Sequence, residues 1–206
     1  MTESVRKTKQ LTEAAAAAAI AALFVLLKLI APFLVFVTML VAASPIAAVS
    51  YFNGMRWGLG TSAAVILLVT MIGGPEIGLT TAVYAGALGL AMGYGFRKGW
   101  SRNRTIALTS AAYVVEMSYK IVFSIYVLGI ADALTSILSR MISFLQWIWQ
   151  PLAGILGYDP DPGRAVFSFS GAVMAAVIFV FNGWCYGYLN VEIFTELLKR
   201  LRAVRR

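Results

Sequence analysis

Apolar runs follow one another along this chain, at about residues 12–31, 33–51, 58–72, 79–96, 105–130 and 166–190. A bilayer core about 30 Å thick is crossed by about 20 apolar residues in a helix. A helix also pairs its backbone groups within its own segment, as a lipid environment requires. The pattern predicts an all-α, polytopic membrane protein with six transmembrane helices, formed as a single integral membrane domain over residues 1–206. Composition agrees: 60% of the 206 residues are hydrophobic and only 13% charged, about half the charge of a soluble domain. Mean hydropathy is +0.81.

The breaks between runs carry turn chemistry. Pro32 ends or bends the first helix, and Ser44-Pro45 predicts a kink or early stop in the second. Asn53-Gly54 reads as a turn, with Arg56 and Trp57 as interface anchors. Gly73-Gly74-Pro75-Glu76-Ile77-Gly78 reads as a breaker-rich connection carrying one acid. It lacks the Gly-Lys-Ser/Thr ending of a phosphate-binding loop. Gly89 and Gly93 form a GxxxG packing surface in the fourth run. Between runs five and six, residues 131–165 form a connector in which Leu134, Ile137, Leu138, Met141, Ile142, Leu145 and Ile148 recur at helical spacing. That predicts an amphipathic helix that lies along the outer face or caps the bundle, or else packs on another subunit, with Trp147 and Trp149 at the interface. The Tyr158–Gly163 stretch reads as a solvated turn cluster.

Charge sets the expected orientation. Thirteen of the seventeen basic residues fall on one side of the six-span plan: Arg6, Lys7 and Lys9 in a head over residues 1–11, Arg56, the loop group Arg97, Lys98, Arg102 and Arg104, and five in a tail over 191–206. The positive-inside rule then puts both termini in the cytoplasm. The net charge of +8 sits beside apolar spans, which points to anionic lipid and away from nucleic acid. The expected location is a bacterial cytoplasmic membrane.

Ionisable residues inside spans cost roughly 2.5–3.5 kcal/mol on insertion scales and mark functional sites by default. Glu116 and Lys120 stand i,i+4 in the fifth run, acid first, so one helix face carries both and they can pair. Tyr113, Tyr119 and Tyr126 share the segment. The pair admits two readings, a lined cavity or a self-satisfied ion pair that fixes helix packing. Glu116, Lys120, Tyr113, Tyr119, Glu76, Lys28 and Asn182 are the candidate substrate-binding residues. Ala14, Ala18 and Ala22 form a small-residue stripe, which predicts a docking face for a partner helix. There is no histidine and one cysteine, Cys185, which excludes an internal disulfide and a Cys/His metal site and removes the commonest general base. No nucleophile–base set is readable, so no catalytic residue, metal or cofactor is expected and the chain reads as a non-enzyme.

Pro45-Ile46-Ala47-Ala48, then Gly54, Arg56, Gly58, a short apolar run and the Gly73–Gly78 turn, together with the alanine stripe and the six-span plan, resemble the substrate-binding S components of energy-coupling factor (ECF) transporters. The likeness is closest to poorly characterised relatives, and the long 131–165 connector departs from compact members. The resemblance implies a capture subunit that binds a vitamin-like micronutrient near the outer face and docks on a transmembrane T component driven by two cytoplasmic ATPases. The alternative is a non-transporting six-span scaffold similar to the rod-shape protein MreD.

Overall fold

The computed structural model describes residues 3–127, 129, 136, 139–140, 143, 146–147 and 169–204. Every regular element among them is helical: α1 (Glu3–Ile30), a 3₁₀ turn (Pro32–Leu34), α2 (Val35–Phe52), α3 (Met55–Gly73), α4 (Pro75–Thr81), a π segment (Ala82–Ala87), α5 (Leu88–Arg97), α6 (Arg102–Tyr126) and α7 (Phe169–Val204). Among the described residues, four helices are long and apolar enough to cross a bilayer: α1, α3, the continuous Pro75–Arg97 helix, and α6. α2 contributes a shorter apolar stretch, Leu40–Phe52. The chain divides into two compact units, Met1–Lys120 with Gly183–Arg206, and Ile121–Asn182.

The first unit is built around α2. One side of α2 presents Ala42 and Ile46 to Ala18, Ala21, Ala22 and Val25 of α1, Val65 and Val69 of α3, and Ala85 of the π segment. The other side presents Ala43 and Ala47 to a cluster holding Leu88 and Met92 of α5, Ile106 and Tyr113 of α6, and Val191, Phe194 and Leu198 of α7. Lipid tails are as apolar as leucine, so helices in a membrane associate by packing, and small residues permit the closest approach. Gly89 and Gly93 of α5 do so here. A Cβ at Gly93 would lie 2.3 Å from Ser50 Cβ, and one at Gly89 would lie 2.7 Å from the Ala43 carbonyl oxygen.

Local sequence explains the helix ends. Pro32 follows the last residues of α1 and begins the 3₁₀ turn. Gly74, at φ +86°, makes the reversal between α3 and α4, and Pro75 takes the first helical position, where its missing N–H costs nothing. The Gly73–Gly78 stretch is therefore one tight turn followed directly by helix, and Glu76 lies in the first turn of α4. At Pro45 the expected stop does not occur, because α2 runs on to Phe52 through contacts on both of its sides.

The second unit, among its described residues, holds the last turns of α6 and the first turns of α7. Val122, Val177, Ile178, Val180 and Phe181 are exposed there, an apolar surface suited to lipid. Most of the amphipathic helix expected over 131–165, and the Tyr158–Gly163 turn cluster, lie outside the described residues. Ser136, Ser139, Arg140, Ser143, Gln146 and Trp147 are described and are helical.

The α2–α5 contact predicts that Gly93→Ala destabilises the protein by about 1–3 kcal/mol, the usual cost of forcing extra volume into a packed contact. Gly60→Ala, where nothing lies within 4 Å, should be neutral or slightly stabilising. Thermal unfolding in detergent measures both, and equal behaviour of the two variants would contradict the packing described.

Candidate functional site

Two ends of the first unit differ in character. At one end Glu13 accepts a hydrogen bond from the Asn53 amide at 2.9 Å. The Arg97 guanidinium donates to the Tyr51 carbonyl, Arg202 donates to the Tyr51 hydroxyl, and Arg102 pairs with Glu192. These contacts gather the start of α1, the α2–α3 turn, the α5–α6 loop and the end of α7. The three arginine contacts are solvent-exposed and each adds little to stability, while the Asn53–Glu13 bond is part-buried. Glu196 beside them has its carboxyl held below the usual range by a hydrogen bond from Lys199, at 2.6 Å.

The opposite direction along the helices holds the other charges. Lys28 stands in the last turn of α1, Glu76 in the first turn of α4, and Lys120 on α6. The Glu76 carboxylate acts electrostatically on both lysines, and Lys28 also feels Lys120. Three residues far apart in sequence, each expected at a binding site, thus lie within electrostatic reach of one another, and no salt bridge joins them among the described residues. Lys28 and Lys120 are half-buried, while Glu76 is exposed.

The expected Glu116–Lys120 pair is corrected by this geometry. Glu116 is half-buried, and among the described residues it forms no ion pair. The four-carbon stem of Lys120 instead carries its ammonium over the Tyr84 ring, 6.0 Å from the centroid. A cation over an aromatic face gains about 0.5–1 kcal/mol at an exposed site and more where water is excluded.

Tyr84 opens an aromatic cluster. Its ring meets Tyr113 edge-on at 5.8 Å and Tyr186 at 5.5 Å, and Tyr113 stacks on Tyr186 at 4.8 Å. The Tyr84 hydroxyl reaches Met117 Sδ at 3.7 Å. Tyr84 lies within the π segment Ala82–Ala87, a widened turn of the kind that recurs at functional sites. Beyond the rings, Gly183 and Gly187 bring α7 against α6: a Cβ at Gly187 would lie 2.2 Å from Ser110 Oγ. The Ser110 hydroxyl, the Tyr186 hydroxyl and Asn190 Oδ1 are buried and accept or donate no hydrogen bond among the described residues. Unpaired buried polar atoms cost about 1–3 kcal/mol each and call for a reason. From Lys120 to Ser110 is ten residues of helix, about 15 Å, so charge, rings and polar atoms form one strip down the unit.

Other expected residues are placed differently. Tyr113 is in the cluster, but Tyr119 and Tyr126 turn outward, 55% and 82% exposed. Asn182 belongs to the second unit and is exposed. Ala14, Ala18 and Ala22, expected as a partner-docking face, are only 7%, 3% and 5% exposed. α2 and α3 of the same chain occupy that stripe, so its close-approach chemistry is used within the molecule. Tyr84 and Ser110 carried no sequence signal that singled them out. The Gly183–Gly187 spacing did carry one, since it is a further GxxxG.

Fold and site together define an all-helical integral membrane protein with a polar and aromatic strip inside its helix bundle. Residues 19–204 match the family of predicted membrane proteins designated DUF2232, and the chain belongs to that family. Comparison with curated proteins and with solved structures gives no match.

The charge cluster makes a direct prediction. Glu76→Gln leaves two lysines facing one another uncompensated and should lower thermal stability, and adding Lys28→Gln should restore part of the loss, with a coupling on the order of 0.5 kcal/mol. Strictly additive effects in this double-mutant cycle would show that the three charges do not interact.

Proposed function

We propose that this protein is the membrane-embedded substrate-capture subunit of an ECF-type importer for a vitamin-like or other small micronutrient. The observation that carries this reading is the convergence of Lys28, Glu76 and Lys120, from α1, α4 and α6, beside the Tyr84–Tyr113–Tyr186 cluster. Two ammonium groups and one carboxylate can orient a polar or charged small molecule. The rings supply apolar faces of low conformational entropy, and the unpaired Ser110, Tyr186 and Asn190 atoms offer hydrogen bonds deeper in the unit. A scaffold needs none of these groups at depth.

In this reading the chain has six spans with both termini in the cytoplasm of a bacterial cell. Its ligand enters from the lysine-bearing end, away from the basic loops. It hydrolyses nothing itself, and transport is driven by a transmembrane T component and two cytoplasmic ATPases. Because Ala14, Ala18 and Ala22 are covered by α2 and α3, the T component docks on another surface of the chain.

A ligand that binds only the folded protein raises its stability, by about 2.7 kcal/mol at a hundredfold excess over Kd. Purified protein screened against vitamins and cofactors should therefore show at least one compound that raises Tm in the wild type but not in Lys120→Gln or Tyr186→Leu. No stabilising compound across a broad panel favours the MreD-like scaffold.

A further inference from the structure

A groove of about 450 Å³ runs along the first unit, from Glu13, Asn53 and Leu201 at one end to Phe24 and Val41 at the other. Ala16, Ala17 and Ile20 of α1 form one wall and Pro45, Ala48 and Phe52 of α2 another, while Leu197 and Leu201 of α7 also line it. Its lining is apolar almost throughout. Ser44 Oγ, which lines it and has no partner, can rotate to its own helix carbonyl at Leu40, as Ser50 does to Ile46 at 2.9 Å. The site is separate from the proposed substrate strip and does not depend on that reading.

We propose that this groove binds one acyl chain of an anionic phospholipid, with the headgroup held by Lys9, Arg97 and Arg202. Size and charge favour that occupant over a partner helix. A helix with its side chains is 10–12 Å across, so a single turn of 5.4 Å fills roughly 420–610 Å³, and this groove would be full after about one turn. A flexible hydrocarbon chain fits the same space along its length, and apolar burial drives it there.

The groove ends at Glu13, Asn53 and Leu201, and the basic groups of that end stand beside its lining, outside it. Lys9 is one turn before Glu13 on the same helix face. Arg202 and Arg97 converge on Tyr51, next to Phe52 and Asn53, the first with its guanidinium 5.2 Å from the ring and the second on the carbonyl at 3.3 Å. The carboxylate lining the groove, Glu13, is held by the Asn53 amide. Basic clusters where transmembrane helices meet the membrane surface recognise anionic headgroups.

The test titrates the purified full-length chain, in a non-ionic detergent, with phosphatidylglycerol and with phosphatidylcholine of the same chain length, and follows Tm. Phosphatidylglycerol should stabilise the wild type at the lower concentration. Removing Lys9 and Arg202 as charges, by Lys9→Gln and Arg202→Gln, should raise its half-effective concentration about fivefold for each. Ala16→Phe fills the groove from an exposed position and should abolish the response to both lipids. If that variant folds poorly, Leu201→Trp at the groove's end carries the same test. Equal response to the two lipids would overturn the headgroup assignment. An unchanged response in the filled-groove variant, or no lipid response at all, would overturn the site and leave the groove to a partner helix.

Discussion

Everything in the first unit depends on the contact between α2 and α5, where glycine replaces side chains altogether. In water, burial of any apolar surface would hold two helices together. In lipid that drive is absent, and attraction comes from the number of atoms brought into van der Waals range. Gly89 and Gly93 lower α5 onto the backbone and Cβ atoms of Ala43, Ile46, Ala47 and Ser50. Once α5 lies that close, α2 is enclosed on both sides, and its two faces organise the two apolar clusters.

The same solvent dictates how polar side chains are used. Ser50, Thr61, Thr70, Thr80, Thr81 and Thr109 each donate their hydroxyl to the carbonyl four residues earlier. This returns every such group to its own helix, so that none needs a neighbour. Against that background four buried polar atoms stand apart as unpaired: Ser44 Oγ at the apolar groove, and Ser110, Tyr186 and Asn190 beside the tyrosine cluster. Three of these four atoms lie together, and it is that grouping on which the proposed binding strip draws.

The membrane class, the helical character and the breaks at Pro32 and Gly74 were legible because periodicity, apolar length and proline or glycine chemistry are local properties, while four of the six expected spans meet the length and hydropathy of a membrane crossing among the described residues. What required three dimensions was partnership. Glu116 and Lys120 share a face by spacing, yet a flexible lysine chooses among all acceptors in reach, and the Tyr84 ring belongs to another helix. The alanine stripe of α1 announced close packing correctly but could not say whose helix would take it. Pro45 reads as a kink or an early stop in isolation, and of the two the stop does not occur, because packing on both sides of α2 outweighs one lost hydrogen bond. Of the expected site, Lys28, Glu76, Lys120 and Tyr113 are drawn together with Tyr84 and Tyr186, while Tyr119 faces outward.

The central functional claim is that the lysine, glutamate and tyrosine strip holds a small molecule. Mass spectrometry of compounds released from freshly purified protein addresses it whatever the ligand's identity. The account predicts a small polar compound near one equivalent per chain from the wild type, and its loss from a Lys28→Gln/Lys120→Gln variant that remains folded. Wild-type protein that releases nothing, or a variant that releases the same compound in the same amount, would contradict it.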